Sequence, residues 1–145
     1  MIPQKNDMAD AEYPTTDFSG PLSRLEIDLD AVAANYLLLK KKVAAGTDVA
    51  AVVKADAYGL GDIAVAQTLF AQNCRHFFAG HAEESFALRH ALPSPDAVIY
   101  ALNGLYGAAP RDIAHHGITP VLNTLDDVRA WAAFQQQSGQ IFPAA

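Results

Sequence analysis

An α/β protein with a parallel sheet is predicted by two features of the chain. Short apolar strands and amphipathic helices alternate four times after residue 48, the order that builds strand–crossover–strand units. The strands are apolar on both faces rather than alternating, as in sheets covered by helices. Two architectures fit, an open doubly wound sheet or part of a (β/α)8 barrel. Four units are too few to close a barrel, which typically takes about 250 residues.

The elements follow in order. Met1 to about Gly20 is polar and broken by Pro3, Pro14 and Gly20. It lacks an apolar core of the kind a secretory signal needs and reads as a disordered leader. Leu25-Glu26-Ile27-Asp28 alternates as a half-buried strand does. Asp28 or Asp30 then caps a helix in which Leu29, Val32, Ala33, Tyr36 and Leu37 share one face. Lys40, Lys41 and Lys42 crowd its C-terminal end, where the helix dipole favours cations, and Gly46 is its expected stop. The four strands are Val49–Val53, Phe77–Ala79, Ala97–Leu102 and Pro120–Leu122. Helices are expected from near Asp62, Ala82 and Pro110 and after Thr124. Ile63, Ala66 and Phe70 face inward on the first of these. Glu83 and Glu84 open the second, and Arg89 and His90 close it. Thr124 and Asp127 form a capping-box pattern with Asp in place of Glu, and Trp131 is assigned to the core with Val128. Ile141-Phe142-Pro143-Ala144-Ala145 reads as the start of a fifth strand, an ending that looks cut.

The 145 residues are 51% apolar, which is enough for one globular domain with its own core. A net charge of −6 speaks against a non-specific nucleic-acid or anionic-membrane binder. No run is long and apolar enough to span a bilayer. Cys74 is the single cysteine, so it has no internal disulfide partner, and a reducing cytoplasmic setting suits it. Cys74 itself reads as a small core hydrophobe.

Chemistry concentrates in Val52-Val53-Lys54-Ala55-Asp56-Ala57-Tyr58-Gly59-Leu60-Gly61. An apolar strand ends on a lysine, and a glycine-flanked loop follows. A buried lysine is costly unless paired, neutral or covalently used. In both architectures ligands bind at the C-terminal strand ends, where Lys54 falls. An amine there can lose its proton and attack a carbonyl to give a Schiff base. Pyridoxal 5'-phosphate (PLP) is the common partner, because its ring accepts the electron pair of a substrate carbanion. Its phosphate needs donors, and Tyr58 offers a phenolic O–H. The plain alternative has Lys54 reaching solvent at the sheet rim or pairing with Asp56. A second functional reading takes Gly59, Gly61 and Ala64 as G-x-G-x-x-A, with Glu83 about 20 residues on, a dinucleotide fingerprint. There, however, the glycines come straight off the strand. His115-His116 read as a helix end rather than metal ligands, since neighbours on a helix point to different faces, and no metal site is expected. His81 alone of the histidines lies near a strand's C-terminal end and is a candidate for the cofactor mouth. Tyr100 and Tyr106 read as core or rim packing.

The same run resembles the PLP-attachment signature of alanine racemases, with Leu60 where the family commonly has His. The resemblance extends over nearly all of the chain after the leader. Leu25-Glu26-Ile27-Asp28-Leu29-Asp30 with Asn35, then Phe77-Phe78 with Glu83 to Leu88-Arg89, are similar to the family's opening strand, first helix and second unit. Leu102-Asn103-Gly104 and Pro120-Val121-Leu122-Asn123 resemble its third and fourth. The resemblance implies residues 21–145 as the N-terminal portion of a (β/α)8 TIM barrel that binds PLP. It implies Lys54 as the residue that holds PLP and as proton carrier on the face serving D-alanine. Tyr58 would hydrogen-bond the phosphate, Val52 would line the site, and Asp56 would position the loop. It implies interconversion of L- and D-alanine for peptidoglycan, a homodimer, and a second base, a tyrosine, from a C-terminal β domain into which the opening strand pairs. A chain of this length is expected to be inactive alone. Another PLP barrel enzyme, such as an amino-acid decarboxylase, is the alternative within the fold.

Overall fold

The computed structural model describes residues 23–145. The leader expected over residues 1–20 lies outside them. The elements are α1 (Leu29–Lys40), β1 (Ala51–Val52), α2 (Lys54–Gly59), α3 (Asp62–Ala71), β2 (His76–Ala79), α4 (Ala82–Ala91), β3 (Val98–Ala101), α5 (Pro110–His115), β4 (Ile118–Pro120) and α6 (Leu125–Ser138).

All three strand pairings are parallel, and the spatial order is β1-β2-β3-β4. Register runs through Ala51 opposite Phe77, Phe77 opposite Ile99, and Ile99 opposite Ile118. A doubly wound sheet reverses its strand order at a switch point, whereas a barrel adds each strand beside the last. The sequential order therefore selects the barrel arrangement and sets aside the open sheet. Ala145 continues the series. Its N–H donates to the Pro120 carbonyl at 2.9 Å, and its carbonyl accepts from the Leu122 N–H at 2.8 Å. One residue bonding to two positions spaced by two on its neighbour is the parallel ladder pattern, as the expected fifth strand requires.

The core lies between the sheet and its helices. Phe77, Leu88, Ile99, Ile113 and Ile118 are fully buried there, with Trp131 from α6. Along β2 and β3, buried residues alternate with half-buried ones. The second set includes His76, Phe78 and Tyr100, with the Phe78 and Tyr100 rings stacked at 4.4 Å and the Tyr100 hydroxyl 3.1 Å from His76 Nδ1. The expectation of strands apolar on both faces thus needs correction for β2 and β3: one face is buried, and the other carries the polar-tipped rings of His76 and Tyr100 beside Phe78 and Val98. Tyr100 packs as anticipated.

Three local expectations also change. Residues 25–28 form no strand, and Leu25 is 77% exposed, because no neighbouring chain among the described residues takes up their N–H and C=O groups. Helix α1 starts as expected, with Asp28 Oδ1 accepting from the Ala31 N–H at 3.0 Å, but it ends at Lys40. Gly46, at φ +84°, serves a later turn instead. Tyr36 is buried on its inner face, whereas Leu37 lies at the margin of that face and stays exposed. At the other end of the chain, the Thr124–Asp127 capping box forms in both directions.

Candidate functional site

The C-terminal ends of the four strands carry Lys54, Gly80–His81, Leu102–Asn103 and Val121–Asn123. Lys54 opens α2 directly after β1. The next four residues, Ala55, Asp56, Ala57 and Tyr58, all have φ between 50° and 58° and ψ between 34° and 51°. This is a left-handed helical turn built without glycine. Each such residue costs roughly 1–2 kcal/mol because Cβ crowds the following carbonyl. Nothing in Ala-Asp-Ala-Tyr announces it: only Asp tolerates this conformation with any frequency.

Specific hydrogen bonds hold the turn. Its own backbone contributes Ala57 N–H to the Val53 carbonyl and Gly61 N–H to the Asp56 carbonyl, both at 2.9 Å. Asp56 Oδ1 accepts from the Asp62 N–H at 3.0 Å, so Asp56 positions the loop and caps α3 together. The carboxylate of Glu84, one turn into α4, is shared. Oε1 accepts from the Ala55 N–H at 3.1 Å, and Oε2 accepts from the Gly80 N–H at 2.7 Å. In the sequence Glu84 stands out only as a favourable charge at a helix start. In a local capping box this third helical residue would reach its own cap residue; here it reaches across the strand ends instead.

Lys54 is solvent-exposed. The burial cost that singled it out in the sequence is therefore not incurred among the described residues. The reason is the open face beside it, where Val52 is 45% and Tyr58 64% exposed. Asp56 is engaged with the α3 backbone, and among the described residues no ion pair joins it to Lys54. The chain thus brings Val52, Lys54 and Tyr58 to one strand end with their side chains accessible. His81 lies on the neighbouring strand end, as N-cap of α4. Its ring meets Asn103 Nδ2 at 3.2 Å and Tyr106 at 5.2 Å between centroids. Tyr106, 74% exposed, is a rim residue.

The dinucleotide reading of Gly59, Gly61 and Ala64 does not survive the geometry. A left-handed turn separates β1 from the glycines. At the N-terminus of α3, the N–H groups of Asp62 and Ile63 are already taken by the carboxylates of Asp56 and Asp62. A pyrophosphate would meet two negative charges where the fold needs free donors. Of the histidine pair, His116 stacks on Phe86 at 4.3 Å and bonds the Asp112 carbonyl at 2.7 Å. Among the described residues no three His, Cys, Asp or Glu side chains gather into a metal-sized group, and Cys74 is fully buried in the core.

Comparison with known proteins agrees with this geometry. Residues 27–145 match the family described as alanine racemase, N-terminal domain. A catabolic alanine racemase of Agrobacterium fabrum is 46% identical over 126 residues, covering 87% of this chain and 32% of that protein. The alanine racemase of Brucella ovis is 46% identical over 120 residues, covering 83% and 30%. The crystal structure of Bartonella henselae alanine racemase with covalently bound pyridoxal phosphate superposes with a TM-score of 0.77 at 39% identity, over 81% of this chain and 32% of that one. The chain therefore spans about a third of the length of the relatives it matches. With the family match covering all but the first residues, a parallel sheet in sequential order and the lysine turn at its mouth, the chain belongs to the alanine racemase N-terminal domain family.

Proposed function

We propose that this chain provides the PLP-binding, lysine-bearing part of an alanine racemase, with Lys54 as the residue that holds the cofactor and carries one of the two protons. The observation that carries this reading is the accessible Lys54 amine at the C-terminal end of β1, beside the exposed Tyr58. The residues present fit the group. The amine is free to reach a carbonyl, and Gly80 leaves room for the Glu84 carboxylate beside it, since a Cβ there would lie 2.9 Å from Oε2. PLP, when bound, supplies an electron sink that makes the alanine Cα proton removable. Lys54 holds it and moves a proton at Nζ on one face of the substrate. The Tyr58 hydroxyl donates to the phosphate, Asp56 and Glu84 fix the turn on which both side chains ride, and Val52 lines the mouth.

Racemisation needs a second acid–base group on the opposite face. The reading places that group, a tyrosine, outside these 145 residues, in a homodimer whose partner subunit donates it. The substrate is alanine and the product supplies peptidoglycan. The lone thiol of Cys74 suits a cytoplasmic setting.

The test mixes the purified chain with PLP, reduces with borohydride and maps the adduct by mass spectrometry. An adduct on Lys54 that disappears in Lys54→Ala is expected. Labelling spread over the surface lysines with none on Lys54 would overturn the assignment.

A further inference from the structure

We infer that Glu84 is a positioning residue for the Lys54 amine, acting through the backbone of the left-handed turn. This rests on the reading of Lys54 given above. Three observations carry it. The first N–H of the turn, on Ala55 next to Lys54, is bonded to Glu84 Oε1, and the adjacent strand end is bonded to Oε2 through Gly80. One carboxylate thus ties the lysine's own strand to β2 across 29 residues of sequence. The turn it holds is intrinsically unfavourable at four consecutive residues, so its position depends on such ties. Glu84 is itself anchored, since α4 packs on the sheet through buried Ala82, Ser85 and Leu88. The Ser85 hydroxyl adds a 2.9 Å bond to the His81 carbonyl.

The consequence is preorganisation. A lysine has a long, freely rotating stem, and an ordered backbone at its root is what confines the amine to the mouth. Removing the carboxylate frees two N–H groups and lets the turn relax toward right-handed backbone, which carries the Lys54 stem with it. Two charge-assisted bonds, one of them facing solvent, make this a loss on the order of tenfold in reactivity.

The experiment compares the parent chain with Glu84→Ala and Glu84→Gln. Each is labelled with PLP and borohydride, and the adduct on Lys54 is read relative to that on exposed Lys41 in the same sample. Amide exchange by NMR is followed at Ala55, Gly80 and Leu102. The Leu102 N–H donates to the Ala79 carbonyl within the sheet and reports the fold itself. In Glu84→Ala the Lys54-to-Lys41 ratio should fall by roughly tenfold. Protection should be lost at Ala55 and Gly80 but kept at Leu102. Glu84→Gln, with a single acceptor oxygen, should fall between. An unchanged ratio in Glu84→Ala, or protection lost equally at all three amides, overturns the positioning role. A parent chain without any Lys54 adduct overturns the reading of Lys54. Selective loss of protection at Ala55 and Gly80 would in that case still support the clamp.

Discussion

Gly80 borders both Lys54 and Glu84: a Cβ added to it would lie 3.5 Å from Lys54 Cβ, an ordinary contact, and 2.9 Å from Glu84 Oε2. The second distance is below ordinary contact, but the obstructing atom is the end of a flexible side chain. Gly80→Ala should therefore displace the carboxylate at small cost to the fold, about 1 kcal/mol or less, while weakening the tie to Ala55. Its Lys54 adduct yield should fall toward that of Glu84→Ala with little change in Tm. A Gly80→Ala chain that labels as well as the parent would show that the carboxylate has room to spare.

Tyr36 and Cys74 both donate to the Val49 carbonyl, at 3.4 and 3.7 Å. Burial, with the neighbouring Cys74, pushes the Tyr36 phenol up to about 12. Burial likewise raises the Cys74 thiol. Both groups are neutral in the fold and ionise more readily in the unfolded chain. The stability they contribute is complete below the unfolded values, and it is lost as pH rises through the folded ones. Urea midpoints should accordingly be flat near neutrality and fall from the ordinary thiol range up to about pH 12. Tyr36→Phe should flatten the upper part of that fall, and an unaltered profile in this variant would place the sensitivity elsewhere.

Much of the fold was legible because it rests on local periodicity and local chemistry. Strand and helix alternation, Asp28 as a cap and the Thr124–Asp127 box each need only a few adjacent residues. The position of Lys54 at the C-terminal end of β1 was legible too, although not its exposure, and so was the inward face of Trp131. What could not be read is what depends on distant partners. Glu84 meets Ala55 across 29 positions, and no local pattern encodes that. Residues 25–28 alternate like a strand, yet strand formation is a property of the pair. The left-handed turn carries no glycine, so propensity points away from it, and only the surrounding bonds make it stable.

The capping box offers a direct stability test. Asp127 Oδ2 accepts from the N–H groups of both Asn123 and Thr124, and the Asp127 N–H donates in return to Thr124 Oγ1. Thr124→Ala should cost about 1 kcal/mol. Asp127→Ala should cost more, about 1–2 kcal/mol, because two donors lose their acceptor at once. Denaturant titrations should rank the two in that order, and equal losses would mean that water replaces the carboxylate.

The strain in the turn predicts a substitution that runs against the usual cost of glycine. Ala55 sits at φ 53° and ψ 51°, exposed, with no side chain beyond Cβ. A left-handed alanine costs roughly 1–2 kcal/mol, and glycine removes that penalty. Glycine also adds about 0.5–1 kcal/mol of unfolded-chain entropy. The difference favours the variant, so Ala55→Gly should raise stability by up to about 1.5 kcal/mol in denaturant titration. Ala87, exposed on the right-handed helix α4, provides the control: Ala87→Gly should lower stability by about 1 kcal/mol. Opposite signs at the two alanines would locate the strain in the turn that bears Lys54. A loss at both would mean that alanine rests there without penalty.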